Sequence, residues 1–253
     1  MLTSQRKQLI LNLLRRDGQI VAKQLSAQLS LSEDTIRRDL REMAQDGVLQ
    51  RVHGGALPAA QAAVDFSARQ ALVPDEKKAI GRAAAALVED RQVIFIDGGT
   101  TAVQLARNLR GDLRATVVTH SPSVAVELAS HPTVEVVLIG GRLFKHSIVN
   151  VGAMAFEAIS RVRADIYFMG VTGIHPKAGL STADLEEAGI KRAIMASSAE
   201  TVVLASSEKL GVASPFVIAA VKDISGLVVS SAVSRASVAP YRKLGMKIFR
   251  ASA

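Results

Sequence analysis

Apolar residues in the first fifty positions recur every three or four places. Leu9, Ile10, Leu13 and Leu14 form one such stripe, which stops before Asp17-Gly18 and predicts a first helix. Val21, Leu25 and Leu29 form a second over Ile20 to Leu29. After the short turn Ser30-Leu31, Ser32 is placed to cap a third helix, with Glu33 and Asp34 favourable in its first turn. Gly47 ends it. At about 100° per residue, Ile36, Leu40 and Met43 of that helix fall within a narrow arc that packs inward. Arg38, Arg41 and Asp34 lie opposite, Arg37, Thr35 and Glu42 on the flanks. Asp39 borders the buried face, a place from which to orient a neighbouring group. The following "VLQRVHGGAL" reads as a short hairpin, with Gly54-Gly55 supplying the positive φ of a tight turn.

From about Asp75 the period changes. A helical segment over Glu76 to Val88 is followed by short β-branched runs: "VIFID" (93–97), "ATVVT" (115–119), "VEVVLI" (134–139), "DIYFMG" (165–170), "TVVLA" (201–205) and "GLVVS" (226–230). Strands alternating with helices predict an α/β domain whose mostly parallel sheet is covered on both faces. Between the two textures, "LPAAQAAV" is a proline followed by alanines, which reads as a linker with some helical content. The organisation expected is a winged helix-turn-helix over 1–57, a linker over 58–74 and a larger α/β domain over 75–253.

Composition narrows the class. The chain has 253 residues, a formal charge of +8 and no cysteine, which excludes disulfides, thiolate metal sites and a cysteine nucleophile. The N-terminus lacks the apolar core of a signal peptide, and no apolar run approaches a membrane span. A soluble cytoplasmic protein is expected. The excess of Lys and Arg suits a polyanionic partner.

The third helix carries the first candidate chemistry. A helix that follows a short turn in this way lies in the major groove of double-stranded DNA. There, arginine binds guanine or clamps phosphate, and threonine meets a thymine methyl or a phosphate. Ser32, Thr35, Arg37, Arg38 and Arg41 are the candidates, with Arg51 and His53 of the hairpin as weaker ones. The plain alternative is a solvated charged face, with His53 packed beside the glycines.

The second candidate is "VIFIDGGTTAVQLARNL", a strand running directly into a helix. Gly98 and Gly99 permit a sharp turn, while Thr100 and Thr101 offer hydroxyl and N–H groups at a helix N-terminus, an arrangement suited to phosphate. Glycine and a capping threonine also serve such a turn structurally. The stretch is neither a Walker loop nor a dinucleotide fingerprint, so ATP and NAD are poorly supported, and neither a cofactor nor a metal is expected. Thr119-His120, Gly140-Gly141 and "GVTG" (170–173) also follow strands and can line one crevice with Asp97. Glu187 and Lys191 stand at i,i+4, and Lys209 lies in "SSEKLG"; each has an ordinary surface role as its alternative.

"QLSAQLSLSEDTIRRDLREMAQDGVLQRVHGGAL" resembles the DNA-binding domain of DeoR-type bacterial transcription regulators. The later D-x-G-T-T, G-G, G-x-x-G, E-x-x-x-K and lysine segments resemble the effector domain of that family. The resemblance implies a fold related to pentose-phosphate isomerases, a phosphorylated sugar or related metabolite as effector, and a repressor of carbohydrate-metabolism genes. It raises Asp97, Gly99, Thr100, Thr101, Glu187 and Lys191 as effector contacts, with His120, Gly98, Gly141, Gly170 and Lys209 beside them. Three positions depart from the family pattern: His120 in place of Asn, Ser206 in place of Asp, and His175 in place of Asp. One recognition helix reads only a few base pairs, so at least a dimer, or a tetramer, is expected on paired half-sites. The rival is a sugar-phosphate isomerase or deaminase with a DNA-binding appendage, using Asp97 and Glu187 as acid and base and Lys191 as electrophile. An RNA-binding module is poorly supported by nine aromatics in 253 residues, none in the first part of the chain.

Overall fold

The computed structural model describes residues 2–60 and 65–251. Its first domain contains α1 (Thr3–Asp17), β1 (Ile20–Val21), α2 (Ala22–Leu29), α3 (Glu33–Gln45), β2 (Leu49–Val52) and β3 (Gly55–Pro58). The helical stripes meet in one core, where Ile10, Leu13, Leu14, Leu25, Ile36, Leu40 and Met43 pack with Leu49 and Ala56 of the hairpin. Ile20 and Val21 differ from the helical expectation. They form a strand that pairs antiparallel with Ala56 and Gly55, giving the order β1-β3-β2. Glycine is required at that crossing, because a Cβ on Gly55 would lie 1.7 Å from the Ile20 carbonyl oxygen. Asp39 faces inward on α3 and takes a forked, buried ion pair from Arg6 of α1, one arm of which measures 3.0 Å.

The stretch 58–74 holds more structure than a linker composition suggests. Its residues 61–64 lie outside the described residues. Asp65 then caps α4 (Phe66–Ala71), accepting from the Ala68 N–H at 2.8 Å, and Phe66 is buried in the second domain. α5 (Pro74–Ala85) follows, with proline in its first turn, where a missing N–H costs nothing.

The second domain continues as β4 (Val93–Ile96), α6 (Thr100–Arg107), β5 (Thr116–Thr119), α7 (Pro122–Leu128), β6 (Glu135–Leu138), β7 (Arg142–Phe144) and β8 (Val149–Val151). Next come α8 (Ala153–Ser160), β9 (Ala164–Gly170), β10 (Gly173–His175), β11 (Gly179–Thr182), α9 (Leu185–Ala196) and β12 (Ser198–Leu204). It closes with β13 (Phe216–Ala219), β14 (Gly226–Ser230), α10 (Arg235–Lys243) and β15 (Lys247–Ala251).

Among the described residues, a seven-stranded sheet runs in the order β15-β14-β12-β9-β4-β5-β6, with every neighbouring pair parallel. Both faces are covered. Ile94, Ile96, Ile166, Phe168, Val202 and Leu204 point toward α5, α6 and α7. Phe95, Tyr167, Met169, Val203 and Leu227 point toward α8, α9 and α10. Burial on both sides explains why these strands read as continuous apolar runs. β10, β11 and β13 form a small antiparallel sheet, and β7 pairs with β8 as a hairpin.

The exit of the wing is tied to this second domain. The Ala213 N–H donates to the Pro58 carbonyl and the Ala60 N–H to the Ala213 carbonyl, both at 3.1 Å. No helix among the described residues is long and apolar enough to cross a membrane.

Candidate functional site

The order of the strands sets the position of the site. β4 and β9 lie side by side at the centre of the sheet, and their carboxyl ends open into a cleft. β4 turns into α6 through Gly98 and Gly99. A Cβ at Gly98 would lie 2.1 Å from Val149 Cγ1, so the backbone passes too close to the β7–β8 hairpin for any other residue. Gly99 sits at φ 107°, where side chains are strained, and its missing Cβ would face open space. The first N–H groups of α6 are therefore presented bare to the cleft, the geometry that favours an anion. Thr100 and Thr101 line the same wall, and the buried Thr101 hydroxyl has no partner among the described residues.

Behind this turn lies a saturated carboxylate. Asp97 Oδ1 accepts from the Gly98 N–H at 2.8 Å and meets His120 Nε2 at 2.8 Å. Its Oδ2 accepts from the Gly170 N–H at 2.8 Å and from Lys191 Nζ at 2.5 Å. Burial alone raises an acid, yet Lys191 and His120 outweigh it and hold Asp97 well below the usual carboxylate range. Burial opposes the charge on Lys191 too, and Asp97 with Glu187 overcomes it, raising the lysine. Glu187 lies 3.4 Å from Lys191 and accepts from the Thr182 hydroxyl at 2.9 Å. Its place in the first turn of α9 is fixed by Asp184, which accepts from the Glu187 N–H at 2.8 Å.

Four cations line the cleft, Arg69, Lys77, Lys191 and Lys209, against two carboxylates, Glu187 and Glu208. Lys191 is neutralised by Asp97 and Glu187. The remaining three are poorly matched, and in each burial is the largest influence, lowering the basicity of Arg69, Lys77 and Lys209. Lys209 is pushed down to about 8, with Glu208 opposing and Lys77, Arg69 and Lys191 adding to the fall. Enclosed positive charge without its counter-charge asks for an anion.

The structure sorts the residues picked out from sequence. Gly98, Gly99, Thr100, Thr101, Gly170, Glu187, Lys191 and Lys209 line one cleft. Asp97 and His120 do not reach it. They are fully buried behind it: Gly98, Gly170, Lys191 and His120 already surround the carboxylate, and the His120 Nδ1 lies 3.0 Å from the Asn150 carbonyl. Gly141 also lies outside, at the start of β7, where a Cβ would press 2.6 Å from the Val151 carbonyl oxygen. Ser206 is buried and positions Glu208, donating to it at 2.7 Å. His175 accepts the Lys177 and Ala178 N–H groups, each at 3.2 Å, and so closes a turn. Thr172, within the "GVTG" stretch, lines the cleft as expected, whereas sequence reasoning missed Arg69, Lys77 and Ser147. The first two stand in the stretch that composition marks as linker and the start of a helix, and no local spacing connects them with Gly99.

On the first domain, the Ser32 hydroxyl accepts from the Thr35 N–H at 3.2 Å and bonds the Thr35 hydroxyl at 2.9 Å, fixing the start of α3. Arg37 folds back onto Glu33 at 3.1 Å. Arg38 and Arg41 are exposed and carry no ion pair among the described residues. Arg51 and His53 are exposed on the hairpin, so His53 is not packed against the glycines.

The comparisons with known proteins agree across the chain. A DeoR-like helix-turn-helix domain matches residues 6–61, and a DeoR C-terminal sensor domain matches residues 73–231. The HTH-type transcriptional regulator GolR of Listeria innocua is 31% identical over 96% of this chain and 97% of its own length. The regulator GlpR of Haloferax volcanii is 36% identical over 83% of each chain. The glycerol-3-phosphate regulon repressor of Escherichia coli is 31% identical over 82% of this chain and 83% of its own. Among solved structures, ribose 5-phosphate isomerase A of Methanocaldococcus jannaschii covers 54% of each chain, at a TM-score of 0.40 and 19% identity.

Proposed function

Because the chain belongs to the DeoR family of transcriptional regulators, we propose that it is an operator-binding repressor controlled by a phosphorylated sugar or polyol held in the cleft. The observation that carries the effector half is the uncompensated charge: Arg69, Lys77 and Lys209 surround the bare α6 N-terminus with too few carboxylates. A phosphate supplies the missing anion, accepting from the N–H groups of Gly99 to Thr101. Glu187 and Thr172 on the opposite wall suit hydroxyl groups of the attached carbon chain. A relative whose name refers to a glycerol-3-phosphate regulon supports the same chemistry.

The DNA half rests on α3. Arg38 and Arg41 project, without ion-pair partners among the described residues, from the helix that the core presents outward, and Arg51 and His53 stand on the hairpin for backbone or minor-groove contacts. Paired half-sites require at least a homodimer in the cytoplasm where the chromosome lies. Control follows if the effector binds the DNA-competent and incompetent arrangements unequally, typically by about 1–3 kcal/mol. No catalysis is assigned, and the saturation of Asp97 argues against the isomerase or deaminase alternative. Its carboxylate is fully buried and already met by the Gly98 and Gly170 N–H groups, Lys191 and His120, so no sugar reaches it to give up a proton.

Selection of bound fragments from genomic DNA, followed by gel shift with and without a panel of sugar phosphates, tests the proposal. Retention of one set of fragments and their release by one phosphorylated compound is expected. Equal retention of all DNA, or no response to any compound in the panel, would overturn the corresponding half.

A further inference from the structure

Arg69 stands apart from the other cations of the cleft. It is carried by α4, in the segment joining the two domains, and not by the sheet. Its Nη2 donates to the His146 carbonyl at 3.0 Å, tying α4 to the turn between β7 and β8. Its Nε is buried and has no partner among the described residues. The guanidinium stands where the cleft beneath Gly99 meets a second hollow lined by Phe144, His146 and Asp184.

The two segments that hold Arg69 in place are strained. Val73, just after α4, and Ile148, beside Ser147, are β-branched residues at φ 39° and 52°. Such residues avoid the left-handed region, and where they are forced into it a ligand clamp is a common reason. Lys77 Nζ closes the end of α4 by donating to the Arg69 carbonyl at 2.5 Å. A buried N–H left unsatisfied is costly, and on a guanidinium it belongs to a planar fork shaped for paired oxygens.

We infer that Arg69 is an effector-contacting residue, donating its Nε–H to an oxygen of the bound phosphate compound and so anchoring the interdomain segment to the ligand. The inference rests on reading the cleft as a sugar-phosphate site. It places one effector contact on the covalent path to the DNA-binding domain. Lysine preserves the charge at this position and loses the fork.

The test uses the full-length protein, with glycerol 3-phosphate, ribose 5-phosphate and glucose 6-phosphate as probes and inorganic phosphate as reference. Calorimetry should show Arg69→Lys binding the wild type's preferred probe at least about tenfold more weakly, with an unchanged melting temperature. The Arg69 Nε–H resonance, assigned by its absence in Arg69→Lys, should shift on saturation of the wild type. An Arg69→Lys protein that binds within twofold of wild type, or an Nε–H resonance that stays in place, overturns the inference while the sugar-phosphate reading stands. Absence of wild-type binding to every probe overturns that reading first, and the inference with it.

Discussion

Filling the cleft with a phosphate dianion should change the number of protons the protein holds, and the sign should depend on pH. Lys209 has been pushed down to about 8 by burial beside other cations. A dianion beside it favours the charged ammonium and returns it toward its ordinary range. At about pH 8.5 roughly three-quarters of free Lys209 is neutral, so binding should take up close to that fraction of a proton. At about pH 6.5 the lysine is already charged and contributes only a few hundredths. The ligand then dominates, because a phosphate monoester with a second ionisation near ~6 is about one-quarter protonated there and sheds that proton on binding as the dianion.

Uptake at the higher pH should therefore turn into slight release at the lower. Calorimetry in buffers of different ionisation enthalpy reads this directly, as the slope of observed enthalpy against buffer enthalpy. Lys209→Met should remove the uptake at the higher pH and leave the release at the lower. A flat slope at the higher pH with a ligand that binds would refute the argument, and would mean that the phosphate lies away from Lys209.

Arg38→Ala should weaken operator binding by about 1–3 kcal/mol in gel shifts if the side chain reads a base, whereas an equal loss on scrambled DNA would assign it to phosphate. Arg37→Ala should cost less, because that side chain is already spent on Glu33 at 3.1 Å. Gly99→Val should abolish effector binding and leave the operator complex intact, since the φ of 107° and the open space at that position belong to the cleft alone. Circular dichroism must first show a folded protein, and unchanged calorimetric affinity would place the phosphate elsewhere. Asp97→Asn should destabilise the second domain, by up to roughly 3–5 kcal/mol in thermal unfolding, because it removes the shorter of the two ion pairs of the buried Lys191 and leaves only Glu187 at 3.4 Å. An unchanged midpoint would mean that the buried charge cluster contributes little to stability.

Much of the fold was legible because burial writes a period into the chain. Ile36, Leu40 and Met43 mark one face of α3, and the doubly covered strands stand out as unbroken β-branched runs. The failures share a physical cause. Ile20 and Val21 fit a helical spacing with Leu25, and only their pairing with Gly55 and Ala56, far along the chain, makes them a strand. β15 lies at the sheet edge, exposed at Lys247, half-buried from Ile248 to Arg250 and fully buried only at Ala251, while β10 and β11 are short and open on glycine, so none produces an apolar run.

The site was legible only as far as the Gly-Thr turn and the ends of the strands. Motif spacing gathers Asp97 and His120 with that turn, but cannot tell a side chain facing the cleft from one supporting it. That distinction depends on Gly170 and Lys191 arriving from other elements to fill the carboxylate. Arg69 and Lys77 left no trace, because their approach to Gly99 is purely tertiary.

The forked pair between Arg6 and Asp39 fixes α3 to α1 from the side facing away from solvent. The residues that would meet DNA take no part in this attachment, nor in the packing of Ile36, Leu40 and Met43. The outward face is thus a replaceable surface on a fixed mount. On the reading proposed above, substitutions at Arg38 or Arg41 would change which base pairs are preferred without unsettling the domain that carries them. Gene duplicates built on such a mount would then diverge in their DNA targets one side chain at a time with little loss of stability.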